Sequence, residues 1–433
     1  MAVDQLPFVN MRDLRTCVHC GFCLPTCPTY QVFGLEADSP RGRIMQIEAA
    51  KRGEIPLDDP DLLQHLSLCL ACRACETACP SGVQYGRLIE GARASLPPPK
   101  RAASAVRSLV LRGLFPRPRL LDLAGTSMRA YQRYGLRRII RAVGLPGRLA
   151  AMEALLPQAQ GPVWQGVRRT EYAARGTPRL RAALIRGCVM QQFFAQTNEA
   201  TARVLAENGC VVSAPAAPLC CGALHVHAGD RKTAQAMARR MIDAILPLRP
   251  DIIVVNAAGC GSTLKEYGHL LADDAYAARA REFSERVRDV NEALVALPFR
   301  APEVGMRRRV TYQDACHLVH AQRVTEQPRA ILSSIPGLEL VELPGSDDCC
   351  GSAGIYNVTQ PDTSMVLLDR KMAAVVETGA EILVTANPGC AIQIGAGIRA
   401  RGLPMSVAHP VDLLDRAYRA ERRPGRKSRT YAG

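Results

Sequence analysis

Aromatic residues are scarce in this chain of 433 residues: 5% of positions, with a single tryptophan. A surface that stacks bases needs aromatic platforms. No motif that reads a groove or a strand occurs either, so nucleic acid is not an expected partner. Also lacking is any apolar run approaching the roughly 18 residues that a membrane-spanning helix requires. The opening Met1-Ala-Val-Asp-Gln-Leu-Pro7 has neither the basic nor the apolar region of a secretory signal. A cytoplasmic location is therefore expected, extending to peripheral attachment on the cytoplasmic face of the inner membrane. Nowhere does Gly-x-Gly-x-x-Gly open a helix after a strand. Gly351-Ser-Ala-Gly354 and Gly395-Ala-Gly397 stand isolated, so neither FAD nor NAD is expected on this chain.

What the chain does have is cysteine, 17 residues of it. In a reducing compartment these are free thiolates able to bind metal rather than a disulfide framework. Its net charge of +15 is concentrated. Residues 100–181 hold 17 Lys/Arg against three acids (Asp122, Glu153, Glu171), and a second basic cluster runs from Arg416 to Arg429. Such a segment reads as a solvated helical face, or as a dock for an acidic subunit or an anionic membrane surface.

Composition divides the chain into residues 1–95, 96–180, 181–305 and 306–433. The first carries eight cysteines in two tight runs. The Pro97–Arg101 break opens a basic linker with helical spacing over Leu120–Leu155, interrupted at Gly144-Leu-Pro-Gly147. The last two are copies of one pattern. Cys188, Cys220-Cys221-Gly222 and Cys260 recur as Cys316, Cys349-Cys350-Gly351 and Cys390, offset by 128 to 130 residues. Each copy reads strand, Cys, helix, strand, Cys-Cys-Gly, helix, strand, Cys. The strand positions are Ala182–Gly187, Val211-Val212 and Asp251–Val255, then Val310–Ala315, Leu338–Leu343 and Glu381–Thr385. The helices are Glu199–Asn208 and Gln327–Ser334. Open α/β sheets gather ligands at the carboxyl ends of their strands, where these cysteines fall. Four sulfurs per copy are thus expected to converge on a metal or cluster site. Cys210 lies outside the pattern and reads as packing.

Cys17-x2-Cys20-x2-Cys23-x3-Cys27-Pro28 and Cys69-x2-Cys72-x2-Cys75-x3-Cys79-Pro80 fit the run that binds two [4Fe–4S] clusters, in which the fourth cysteine crosses to the neighbouring cluster. That rule assigns Cys17, Cys20, Cys23 and Cys79 to one cluster, and Cys69, Cys72, Cys75 and Cys27 to the other. Zinc usually takes two separated Cys pairs rather than a triplet plus Cys-Pro. The 41 residues between Cys27 and Cys69 exceed a compact ferredoxin hairpin, and Ser39-Pro-Arg-Gly-Arg-Ile44 reads as a helix start running through Ala50.

With that insertion the N-terminal domain resembles the helical di-cluster ferredoxin of fumarate reductase and heterodisulfide reductase subunits. The two copies resemble the cysteine-rich CCG domain of heterodisulfide reductase and of flavin-linked dehydrogenases. Gly187-Cys-Val-Met-Gln-Gln192 and Asn256-Ala-Ala-Gly-Cys-Gly-Ser262 carry the likeness in the first copy; Asp314-Ala-Cys-His-Leu318 and Asn387-Pro-Gly-Cys-Ala-Ile-Gln393 carry it in the second. Over its whole length the chain resembles the iron–sulfur subunits of bacterial glycolate oxidase (glycolate dehydrogenase). That resemblance implies FAD-binding partner subunits that oxidise glycolate to glyoxylate, with electrons passing through this chain toward quinone or another acceptor, and no catalytic residue here. The full CCG motif ends Cys-x-x-Cys, whereas Thr263 and Gln393 hold the final position here. The four remaining thiols suit a cubane cluster, a zinc ion or simple burial, with His225, His227 and His317 as supplementary ligands. Related readings are the equivalent subunit of a lactate or glycerol 3-phosphate dehydrogenase, and a heterodisulfide-reductase-like catalyst.

Overall fold

The structure, a computed structural model, describes residues 5–97, 109–144, 153, 156 and 169–422. The expected Pro97–Arg101 break (apart from Pro97), the interruption after Gly144 and the tail beyond Arg422 lie outside the described residues. The fold class is the expected one: an α-helical N-terminal domain, a helical linker, then two α/β units.

The Ser39-Pro-Arg-Gly-Arg motif opens the helix Pro40–Arg52. Ser39 Oγ caps it by accepting from Gly42 N at 3.0 Å, and Pro40 takes the first turn, where no N–H is needed. Gly42 is required by close approach, because a Cβ there would sit 2.0 Å from the Glu36 carbonyl oxygen. Arg41 and Arg43 diverge from this turn, one outward and one into the interior. Helices Pro60–Leu68 and Tyr85–Ser95 complete a small core around Ile47, Leu66 and Ile89. In the linker, helices Pro118–Arg133 and Leu136–Val143 form where helical spacing was expected.

The first α/β unit contains β1 (Glu171–Tyr172), β2 (Leu180–Ile185), β3 (Cys210–Ser213), β4 (Ile252–Val255) and β5 (Val287–Asp289), in the order β1-β3-β2-β4-β5. The second contains β6 (Arg308–Gln313), β7 (Leu338–Val341), β8 (Ile382–Thr385) and β9 (Ser406–Ala408), ordered β7-β6-β8-β9. Apart from β1, which pairs antiparallel with β3, both sheets are parallel and share one topology. Strands β1, β5 and β9 are two or three residues long, too short to register as apolar runs. β1 lies ahead of residue 181, where composition places the start of the first unit. Cys210 begins β3 and is wholly buried in the core, as its reading as packing requires.

The duplication is closed in space. Leu184, Val212 and Val254 of the first unit share one core with Val310, Tyr312 and Val384 of the second. Helix Ala195–Glu207 packs on Pro410–Glu421, and the matching helix Glu326–Ser333 packs on Val290–Ala296. Arg203 clasps Asp415 with two bonds of 2.8 Å across the first of these contacts.

Both Cys-Cys-Gly glycines adopt the left-handed conformation, with φ of 83° at Gly222 and 84° at Gly351. At Gly222 an added Cβ meets Ala234 at an ordinary 3.4 Å, whereas at Gly351 it would lie 2.5 Å from the Ser364 carbonyl oxygen. Gly222→Ala is therefore expected to cost about 1–2 kcal/mol of conformational strain, and Gly351→Ala distinctly more. Chemical unfolding of the two variants side by side checks that order; equal losses would refute the close-approach argument.

Candidate cofactor sites

The two N-terminal cysteine loops are conformational duplicates. His19 and Gly21 in the first loop, and Ala71 and Arg73 in the second, all have positive φ (56°, 88°, 54° and 67°). Three of these are not glycine, a strained choice that clusters at functional sites. The conformation turns amide N–H groups onto sulfur. Ala71 N donates to Cys69 Sγ at 3.3 Å, and the backbone at His19 and Ala74 does the same for Cys17 and Cys72.

Cysteines of the two loops lie within reach of one another. Cys17 lies within electrostatic reach of Cys79 and Cys20, while Cys72 and Cys75 feel Cys27 and Cys69. Cys23 neighbours both Cys17 and Cys27 and so joins the two sets. Their settings differ. Cys20 is exposed and Cys17, Cys23 and Cys79 are half-buried, whereas Cys27, Cys69, Cys72 and Cys75 are all buried. Burial pushes the Cys72 and Cys75 thiols well above their ordinary range, a cost that binding a cation offsets.

Sequence reasoning missed Arg43. It read Ser39-Pro-Arg-Gly-Arg only as a helix start, and nothing in that run sets Arg43 apart from a surface arginine. Arg43 has no exposed surface, and it lines a small pocket of about 20 Å³ with Cys27, Cys69, Cys72, Cys75 and Tyr85. It donates to His65 O at 2.8 Å, Thr29 Oγ1 at 3.0 Å and Asp38 Oδ1 at 3.2 Å. Despite its desolvation, the nearby Cys69, Tyr85, Cys27 and Asp38 hold its pKa above the ordinary arginine value. A permanent cation beside four thiolates suits a group of net negative charge.

In each α/β unit the cysteines gather at the switch point, where connections leave the central strands in opposite directions. Cys188 follows β2 by three residues and Cys316 follows β6 by three; Cys260 follows β4 by five and Cys390 follows β8 by five. Cys188 and Cys220 sulfurs are 3.6 Å apart, Cys220 contacts Cys221, and Cys221 contacts Cys260. Contacts between Cys316 and Cys349, Cys349 and Cys350, and Cys350 and Cys390 repeat the row. Among the described residues no group of three or more His, Cys, Asp or Glu side chains is arranged to hold a single metal ion. Gln393 is fixed elsewhere, donating to Ser364 Oγ at 2.9 Å and accepting from Asn357 at 3.0 Å. Thr263 Oγ1 bonds its own helix at Gly259 O.

The three histidines separate. His225 Nε2 lies 2.7 Å from Leu111 O of the linker, and His227 Nδ1 lies 2.9 Å from Glu90 Oε1. His317 Nδ1 lies 3.7 Å from Cys316 Sγ, in a wide π-type turn over His317–Ala321, while His227 also acts electrostatically on Cys221. Cys72 and Cys349 share an apolar cluster with Leu70 and Tyr356, so the second unit abuts the buried N-terminal set. Leu121 of the linker packs against Cys188 and Cys220 of the first.

Known proteins carry the same parts. Family profiles match a 4Fe-4S dicluster domain at residues 13–83, the linker region of the glycolate oxidase iron-sulfur subunit at 102–156, and a cysteine-rich domain twice, at 182–265 and 310–395. The chain is 41% identical to a probable glycolate oxidase iron-sulfur subunit of Bacillus subtilis, covering 93% of each, and 35% identical to the glycolate oxidase iron-sulfur subunit of Escherichia coli, covering 94% of this chain and 95% of that one. Lactate utilization protein A of Bacillus licheniformis is 30% identical over 54% of this chain and 99% of its own. A hypothetical protein from Helicobacter pylori shares the fold at a TM-score of 0.54 and 8% identity, over 98% of this chain and 74% of that one.

Removing the Arg43 charge leaves Asp38 buried without its main cation. Arg43→Leu is expected to destabilise the protein by about 3–5 kcal/mol, measured as a fall in the unfolding midpoint of anaerobically prepared protein. An unchanged midpoint would mean that His65 alone suffices for Asp38.

Proposed function

The chain belongs to the family of glycolate oxidase iron–sulfur subunits, and from that premise we propose that it is the electron-transfer subunit of a flavin-dependent glycolate dehydrogenase. Glycolate is oxidised to glyoxylate on FAD-binding partner subunits. This chain takes the electrons and passes them toward quinone or another acceptor, and it carries no FAD or NAD of its own. Bound [4Fe–4S] clusters supply one-electron chemistry. The chain's residues hold, insulate and present them.

The observation that carries the reading is that Cys79 neighbours Cys17 while Cys27 neighbours Cys72 and Cys75, between loops of duplicate conformation. It favours Cys17, Cys20, Cys23 and Cys79 around one cluster, and Cys69, Cys72, Cys75 and Cys27 around the other. Residues 1–95 would form the cluster domain, 96–180 the linker, and 181–305 and 306–433 the two cysteine-rich units, each with a further group on its four thiols. The exposed Val18 and Phe22, inside the first loop, suit a partner that delivers electrons at the less buried set. A cytoplasmic complex, resting on the inner membrane through its basic linker, fits the charge pattern.

A lactate substrate has one supporting observation, the likeness to lactate utilization protein A, but that likeness spans only about half of this chain.

Iron and acid-labile sulfide assays with EPR on the reduced full chain test the assignment. Cys27→Ser is expected to disturb the same signal as Cys72→Ser, and Cys79→Ser the same signal as Cys20→Ser. Colourless, iron-free protein that still supports glycolate oxidation with its partners would sink the reading.

A further inference from the structure

The two cysteine-rich units share a topology but treat their sulfurs differently. In the second, His317 Nδ1 lies 3.7 Å from Cys316 Sγ, and Asn387 Nδ2 donates to Cys390 Sγ at 3.4 Å. The residue after Cys188 in the first unit is Val189, whose side chain has no donor. Asn256 stands four residues before Cys260, whereas Asn387 stands three before Cys390. That single extra residue sends Asn256 Nδ2 to Asn198 Oδ1 and Thr201 Oγ1, both at 2.9 Å, and leaves Ala257 at the position that would face the sulfur. The backbone follows suit: Gly351 and Ser352 serve Cys349 and Cys350, while Ala223 serves Cys221.

The second-unit donors are firmly placed. The His317 ring is buried 5.1 Å from that of His227, itself paired with Glu90, and its Nε2 has no hydrogen-bond partner. Asn387 Oδ1 accepts from Gly259 N of the first unit at 3.2 Å, which aims its NH2 group at Cys390. A metal-bound thiolate has no proton to give, so the ring nitrogen and the amide must be the donors. Hydrogen bonds to ligand sulfur withdraw charge and raise the reduction potential of the group it holds.

We propose that His317 and Asn387 are positioning residues that make the group on Cys316, Cys349, Cys350 and Cys390 more oxidising than its counterpart on Cys188, Cys220, Cys221 and Cys260. The inference rests on the reading that these thiols hold redox groups. Because Cys349 packs beside Cys72, electrons leaving the buried N-terminal set meet the more oxidising of the two units first.

The test is an EPR-monitored potentiometric titration of the anaerobically prepared full chain with its partner subunits. Cys350→Ser identifies the signal of the second unit by removing it. His317→Phe, which keeps a ring against His227, and Asn387→Leu should each move that midpoint to more negative potential. Together they should move it further, with every other signal unmoved. His317→Asn, which returns an N–H near the Nδ1 position, should recover part of the shift. A second-unit midpoint that stays put in both single variants overturns the proposal while leaving the occupancy reading intact. An iron content unchanged by Cys350→Ser overturns both.

Discussion

Two short cysteine loops, roughly fifty residues apart, have to be held within reach of each other. Cys79 lies near Cys17, and Cys27 near Cys72 and Cys75, so the separation of the loops has to be fixed by something rigid. The helix Pro40–Arg52 between them does this from both of its faces. Arg41 donates outward to His19 O at 2.8 Å, inside the first loop, and Arg43 reaches inward to the chain just ahead of the second. Left-handed residues in both loops cost conformational energy, and the amides they aim at sulfur are what that cost secures.

Charge follows the same logic. Four buried cysteines that are to carry negative charge gain from a neighbouring cation that burial cannot neutralise. Guanidinium meets that demand better than ammonium because it stays charged and offers several donors in fixed directions. Arg43 divides those donors among a backbone carbonyl, a hydroxyl and a carboxylate. It thereby binds the Thr29, Asp38 and His65 segments into one polar knot behind the cysteines.

Much of this was legible in the residues. Cysteine spacing announced the cluster loops, because a ligand run is local. The repeat announced two like units, because apolar strands and Cys-Cys-Gly turns recur at one offset. The expected strands and helices appear within a few residues of their positions. What stayed hidden depends on tertiary register. Strands as short as Val287–Asp289 carry too few residues for a pattern. Arg43 looked like any surface arginine until Gly42 was seen to press its turn against Glu36. The roles of His225, His227 and His317 were indistinguishable from sequence, since each sits beside a cysteine motif, yet their partners are a linker carbonyl, a carboxylate and a thiol. One residue's difference in spacing before Cys260 and Cys390 was visible throughout, but its meaning lay in where each asparagine's amide points.

The shared interior of the two α/β units governs the order in which the chain is able to fold. Helix Pro410–Glu421, the last element among the described residues, covers Ala195–Glu207 near the start of the first unit. Domains commonly fold one after another as they leave the ribosome. Here the earlier unit keeps an apolar flank bare until Pro410–Glu421 has emerged. Maturation is thereby deferred to a late event, and a product cut short within Pro410–Glu421 leaves the older unit, as well as the younger, unfinished.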